Sequence, residues 1–243
     1  MTIEIKTVSV SRLFVWYKRA WQMFKEQAGL WMFATMTIFG VSLIAMMLDV
    51  VGIVLRSMIM PFFIAGFYHL AFRANHKVGS KLEDFFAAFK DKQAQAVLLQ
   101  IGLVGVAFSV MSLPSAQSFS EALAGQQQPA DADVIAILTI HMVHYIFTFF
   151  AIPIAFFHHE RSLAKVVLSS IMACVRNIPV LALFAISASF ISAAAFMLTL
   201  GMAMAVVMPW LMIVSFLAFN DIIGGDFNIN NDDDDNNDMT IIA

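Results

Sequence analysis

Long apolar stretches separated by short polar segments dominate the chain. A helix needs about 20 apolar residues to cross about 30 Å of hydrocarbon, and stretches close to that length recur along the sequence. We predict six membrane-spanning helices, over residues 29–48, 57–72, 94–114, 134–157, 179–199 and 203–221. The predicted fold class is an all-α integral membrane protein, with a single transmembrane domain over residues 1–224.

Local breaks in the apolar pattern decide two of these boundaries. Residues 177–220 include no acid and no base, and one straight helix of that length would extend about 66 Å, roughly twice the hydrocarbon thickness. We therefore predict two spans there, with a reversal near Leu200 and Gly201. Between the first two spans, Asp49, Gly52 and Arg56 predict a break.

The composition agrees with this class and excludes others. Apolar residues make up 60% of the chain and charged residues only 13%, which is about half the share usual in soluble domains. So few charges cannot cover the surface of a soluble enzyme or form a nucleic-acid interface. The sequence also lacks a Walker motif, a GxSxG motif and a Rossmann fingerprint. We therefore predict a protein that is not an enzyme, with no catalytic residue and no cofactor.

The basic residues predict the orientation. If six spans alternate in direction, all of the 14 lysine and arginine residues except Arg56 fall on one side. Short loops rich in Lys and Arg stay in the cytoplasm, so both termini are predicted to be cytoplasmic and the loop 114–133 to lie outside. Residues 225–243 include Asp232–Asp235 and Asp238, and we predict a disordered acidic tail on the cytoplasmic side.

The cytoplasmic segments share a pattern. After each of Leu13, Leu82 and Leu163, apolar residues recur at three, four, and seven or eight positions, which is one face of a helix. We predict three units, each an amphipathic helix followed by a transmembrane hairpin whose returning helix carries a proline. Such helices suit a surface of anionic lipid, although they could instead pack on the cytoplasmic mouth of the bundle. The expected membrane-surface residues are Arg12, Trp16, Tyr17, Lys18, Arg19, Trp21, Lys81, Phe85, Phe86 and Lys165.

Two histidines are the candidate metal ligands within the predicted spans. His141 and His144 are three residues apart and share one helical face. Two imidazoles at that spacing can bind a metal ion or a haem iron. No further His pair or intramembrane carboxylate completes a ligand set at that depth, so structural hydrogen bonding is the favoured interpretation and a metal site the alternative.

The layout resembles the uncharacterised multi-pass inner-membrane proteins of proteobacteria that are built from such helix and hairpin units. The matching stretches are IAGFYHLAFRANHKVGSKLEDFFAAFK at 64–90, SLAKVVLSSIMACVRNIPVLALF at 162–184 and PWLMIVSFLAFNDIIG at 209–224. A more distant similarity is to the membrane region of glycerophosphodiester phosphodiesterases, without the catalytic domain that follows it there. The resemblance implies a location in the bacterial inner membrane and transfers no catalytic residue.

The sequence leaves three functions open. The first is a non-enzymatic protein that organises lipid, or a membrane-protein partner, through its cytoplasmic helices. The second is a transporter or channel. Its substrate would be hydrophobic or lipid-like, because no charged residue lies well inside any span and ion-coupled carriers normally need one. The third is a metal- or haem-binding membrane protein that uses His141 and His144.

Overall fold

The computed structural model describes residues 3–125 and 130–224, so the predicted acidic tail lies outside the described residues. Within the described ranges the chain is helical and has no strand. The helices are α1 (Arg12–Glu26), α2 (Ala28–Met46), α3 (Asp49–Asn75), a 3₁₀ helix (Leu82–Phe86), α4 (Ala87–Lys90), α5 (Lys92–Leu123), α6 (Asp131–Thr148), α7 (Ala151–Phe157), α8 (Leu163–Arg176), α9 (Ile178–Thr199) and α10 (Met204–Ile222).

The predicted number of helices of spanning length and hydropathy is confirmed. In the described part of the chain, six helical stretches are long and apolar enough to cross a membrane, namely α2, α3, α5, α6 with α7, α9 and α10. The reversal between the last two lies at the predicted position. Leu200 and Gly201 both have positive φ angles, 52° and 90°, and glycine adopts such angles without a steric penalty.

The break between the first two spans is shorter than predicted. Met47 and Leu48 form the turn, and α3 already begins at Asp49. Gly52 lies inside α3, where an added Cβ would be 1.7 Å from the carbonyl oxygen of Ala45 on α2. The glycine therefore permits the close approach of two helices and does not lengthen the loop. Arg56 is exposed within the same helix.

The described part of the predicted outer loop 114–133 is largely helical. Pro114 lies inside α5, which continues to Leu123, and α6 begins at Asp131. A proline inside a helix removes one backbone hydrogen bond and bends the helix without always ending it. Ser118 helps to hold the two helices together here, because its hydroxyl donates a hydrogen bond of 2.7 Å to Asp133.

The second predicted amphipathic helix also differs from the prediction. The segment after Lys81 forms a 3₁₀ helix followed by the single turn of α4. It packs closely on α3, where an added Cβ on Gly66 would lie 1.8 Å from the carbonyl oxygen of Phe85. The rings of Phe85 and Phe89 lie 5.5 Å and 5.1 Å from that of Phe63.

The order of elements repeats three times along the described chain. A helical segment is followed after one residue by a long helix, and then by a proline-containing helical stretch, with Pro61 in α3, Pro153 in α7 directly after α6, and Pro209 in α10. The proline-containing helices meet in an aromatic cluster, in which the ring of Phe157 lies 5.4 Å from Phe72 and 5.6 Å from Phe219.

Ion pairs connect the end of one repeat to the start of the next. Arg73 at the end of α3 pairs with Asp84 of the 3₁₀ helix, with a distance of 3.0 Å. Arg12 of α1 donates to Asp221 of α10, with an Nε to Oδ2 distance of 2.9 Å. This second contact joins the third repeat to the first.

Candidate functional site

The predicted histidine pair borders a small cavity between α5 and α6. The cavity has a volume of about 30 Å³ and is lined by Phe108, Ser109, Ser112, Ile140, His141 and His144. A cavity of this size can hold a single water molecule or one hydroxyl group. The structure therefore brings both histidines together with two serines that the sequence pattern did not single out.

Each ring has a different environment. The Nδ1–H of His141 donates to the carbonyl oxygen of Ile137, one turn earlier, at 2.8 Å. A carbonyl only accepts, so the neutral ring carries its lone pair on Nε2. The ring of His144 stacks on Phe108, with centroids 5.0 Å apart and an angle of 24°. No described residue forms a hydrogen bond to the His144 ring.

Glycines on α5 bring α3 close to α5 near the same cavity. An added Cβ on Gly102 would lie 2.8 Å from the Cα of Met58, so the backbones of the two helices are in contact there. At Gly105 the corresponding position is 3.6 Å from the Cβ of Ser57 and 3.8 Å from Nε2 of His144. The helix α3 therefore packs on α5 near the cavity, and Ser57 is not one of the residues that line it.

The serines at and near the cavity use part of their hydrogen-bonding capacity within the protein. Ser57 and Ser109 approach each other at 3.4 Å between their hydroxyl oxygens, and the Ser112 hydroxyl donates to the carbonyl oxygen of Ser109 at 2.8 Å. The signal that could have found two of them is their spacing, because Ser109 and Ser112 are three residues apart on α5, as the histidines are on α6. Ser57 could not be found this way, since it lies on another helix.

The arrangement is suited to hydrogen bonding. Among the residues that the structure describes, no group of three or more His, Cys, Asp and Glu side chains is placed to hold a metal ion. His141 and His144 have serine hydroxyls as their polar neighbours, and serine is not a usual ligand of transition metals. The metal alternative therefore has two ligands and lacks a third.

Two of the predicted membrane-surface residues are buried inside the protein. Trp16 is 2% exposed, and its indole Nε1–H donates to Asp221 at 2.6 Å. Phe85 is 0% exposed and packs on Phe63. The prediction that these two side chains face the membrane surface is therefore wrong, because both pack against other parts of the protein. The amphipathic pattern showed an apolar face, and other helices of the protein cover part of it.

The remaining predicted surface residues differ in exposure. Arg12, Lys18, Trp21, Lys81 and Lys165 are exposed, and Tyr17, Arg19 and Phe86 are half-buried. The hydroxyl of Tyr17 lies 2.7 Å from that of Ser187 on α9, and burial raises the pKa of this phenol. Phe14 on α1, which the sequence pattern did not mark as a surface residue, is 72% exposed.

A second group of titratable side chains lies near the end of α7. His159 is 3.5 Å from Asp91, and Lys165 is 3.7 Å from Glu160. Burial, reinforced by the neighbouring His159, lowers the pKa of His158 to about 4. His158 is therefore neutral at pH 7, and the two contacts connect the end of α7 and the start of α8 to their neighbours.

Comparison with protein-family models, with curated proteins and with solved structures finds no match to this chain.

Proposed function

We propose that the protein is a non-enzymatic multi-pass membrane protein that organises lipid at the cytoplasmic surface of a bacterial inner membrane. The observation that carries the proposal is the division of α1 into a stripe that packs on α10 and a second apolar stripe that stays exposed. The ligands that this surface suits are charged lipid headgroups.

The two stripes of α1 differ in direction. Leu13, Trp16 and Ala20 are buried, and they recur at the three- and four-residue spacing of one helical face. Phe14 and Trp21, seven residues apart on a neighbouring face, are 72% and 42% exposed. An aromatic stripe that stays exposed on a packed helix suits insertion at the boundary between headgroups and acyl chains.

Basic side chains flank the exposed stripe. Lys18 and Lys25 are both exposed and lie four residues after Phe14 and after Trp21. The ammonium groups can therefore reach lipid phosphates while the rings of the stripe insert. Arg19 is half-buried and points about 100° away from Lys18 around the helix. Lys18 and Arg19 are therefore neighbouring cations of which one belongs to the proposed lipid surface and the other serves as its control.

We expect Lys18→Gln to weaken the retention of anionic lipid and Arg19→Gln to leave it nearly unchanged. Each cation close to an anionic surface contributes about 1 kcal/mol, which is about fivefold in affinity. The measurement is native mass spectrometry of the purified protein, titrated with phosphatidylglycerol in nanodiscs of phosphatidylcholine. Equal losses in the two variants, or no loss in either, would contradict the proposed lipid surface.

The proposed topology has a direct test by thiol labelling. Burial raises the pKa of Cys174 to about 12, so its thiol should react slowly, and a Cys174→Ser background removes it altogether. On that background we expect Ala116→Cys and Glu83→Cys, both at exposed positions, to react with a membrane-impermeant maleimide from opposite sides of the membrane. Labelling of both from the same side would disprove six alternating spans with cytoplasmic termini.

One observation favours a carrier of a lipid-like substrate as a second candidate. No described residue of α6 is buried, and the buried residues of α9, Val180, Leu181 and Phe184, all lie in its first seven positions. The remaining lengths of these helices present apolar side chains outward, where an apolar molecule could approach from the bilayer. Vesicles that hold the purified protein distinguish the two functions, because only a carrier moves a fluorescent lipid analogue between leaflets.

A further inference from the structure

We propose that the cavity between α5 and α6 binds the free hydroxyl group of a glycerolipid, with diacylglycerol as the simplest occupant. The proposal concerns a different part of the molecule from the surface of α1 and does not depend on it. It rests on the hydrogen-bonding capacity that the cavity leaves unused, on its depth in the membrane, and on its apolar surroundings.

The unused capacity of the cavity favours a donor. His141 has committed its Nδ1–H to Ile137, so Nε2 of the neutral ring is left as an acceptor. Ser112 has likewise committed its hydrogen to Ser109, which leaves its oxygen lone pairs. A hydroxyl group can donate to these acceptors, whereas a phosphate diester has only acceptors and would not satisfy them. The donor–acceptor inventory therefore favours a hydroxyl over a phosphate.

The depth of the cavity suits a lipid headgroup. The span formed by α6 and α7 runs from Asp131 to Phe157. If Phe157 marks one hydrocarbon boundary, the opposite boundary lies about 20 residues earlier. His141 and His144 then lie about 5 Å and 10 Å inside that boundary, at the level of the glycerol and upper acyl region. Unsatisfied polar groups at that depth are costly, which favours an occupied site.

The surroundings suit acyl chains. Val110 and Met111 on α5 are 50% and 61% exposed, and Leu138 and Met142 on α6 are 63% and 60% exposed. These apolar side chains are close sequence neighbours of the cavity-lining residues on both helices. A molecule with one hydroxyl and two acyl chains therefore matches the polar cavity and the exposed apolar side chains at the same depth on other faces of the two helices.

The test uses the full-length protein in nanodiscs of phosphatidylcholine to which dioleoylglycerol is added, with native mass spectrometry to count bound lipid. Hydrogen bonds inside membranes average about 0.6 kcal/mol, which is about threefold in affinity. We expect His141→Leu to weaken diacylglycerol binding about threefold, and His144→Leu to add a similar loss. The control variant Thr139→Val, at an exposed position of α6 that does not line the cavity, should bind as the wild type does.

A capped lipid makes the test specific for the hydroxyl group. We expect 1,2-dioleoyl-3-acetylglycerol, whose hydroxyl is blocked, to bind more weakly than dioleoylglycerol. Equal binding of the two lipids, no binding of dioleoylglycerol above the phosphatidylcholine background, or unchanged binding by the histidine variants would each overturn the proposal. If a histidine variant loses its cooperative thermal transition, Ser112→Ala replaces it, because it removes an acceptor and leaves the rings in place. Failure here leaves the phosphatidylglycerol test on α1 unaffected.

Discussion

Replacement of Gly66 by alanine is expected to destabilise the protein by about 3 kcal/mol, at the upper end of the usual range for overpacking. The new methyl group would lie 1.8 Å from the carbonyl oxygen of Phe85 and 2.8 Å from its carbonyl carbon. Both atoms belong to the backbone, so no side-chain rotation relieves the clash. The 3₁₀ helix would have to move away from α3, which would disturb the Arg73–Asp84 ion pair and the buried ring of Phe85.

Gly40 provides the matched control on α2. An added Cβ there meets nothing within 4 Å, and alanine has the higher helix propensity, by about 1 kcal/mol in a helix interior. Unfolding of the purified protein by increasing fractions of SDS in mixed micelles should therefore show a lower midpoint for Gly66→Ala and an unchanged or higher midpoint for Gly40→Ala. Equal midpoints for Gly66→Ala and wild type would contradict the described backbone contact.

The six spans could be predicted because their signal is local. A helix that crosses hydrocarbon needs a continuous apolar stretch of a set length, and that stretch is visible in the sequence without knowledge of any neighbour. The turn at Leu200 and Gly201 was found for the same reason. Met47 and Leu48 were missed because both are apolar, so the reversal there has no compositional signature.

The burial of Trp16 could not be predicted because it depends on a residue far along the chain. Trp16 and Asp221 are separated by 205 positions. An amphipathic pattern identifies an apolar face but does not distinguish a lipid surface from another helix as its partner. The cavity at His141 has the same limitation, since it forms only where α5 and α6 pack together and its lining comes from both helices.

The break between α6 and α7 depends on a hydroxyl group from another helix. Phe149 and Phe150 separate the two helices, and Pro153 follows within one turn. The backbone N–H of Phe150 donates to the Ser170 hydroxyl oxygen at 3.1 Å, and that hydroxyl donates to the carbonyl oxygen of Ile146 at 2.9 Å. Ser170 of α8 therefore stands between the two backbone groups that would bond directly in a continuous helix.

We expect Ser170→Ala to destabilise the protein by about 2 kcal/mol. The substitution leaves the buried N–H of Phe150 without a partner, and an unsatisfied buried donor costs about 1–3 kcal/mol. The carbonyl oxygen of Ile146 keeps the weak thiol donor of Cys174, at 3.8 Å. Ser169→Ala, at the neighbouring half-buried position, is the matched control and should change the midpoint of SDS unfolding little.

A double-mutant cycle with Pro153→Ala tests the cause of this loss. Without the proline ring, α6 and α7 can straighten, and the Phe150 N–H can then bond directly to the Ile146 carbonyl oxygen. These two backbone groups would then no longer need the Ser170 hydroxyl. We therefore expect Ser170→Ala to lower the free energy of unfolding less than half as much in the Pro153→Ala background as in the wild type. Strictly additive free energies of unfolding would mean that the proline and the serine act independently, and the hydroxyl would then not be a replacement for a helical hydrogen bond.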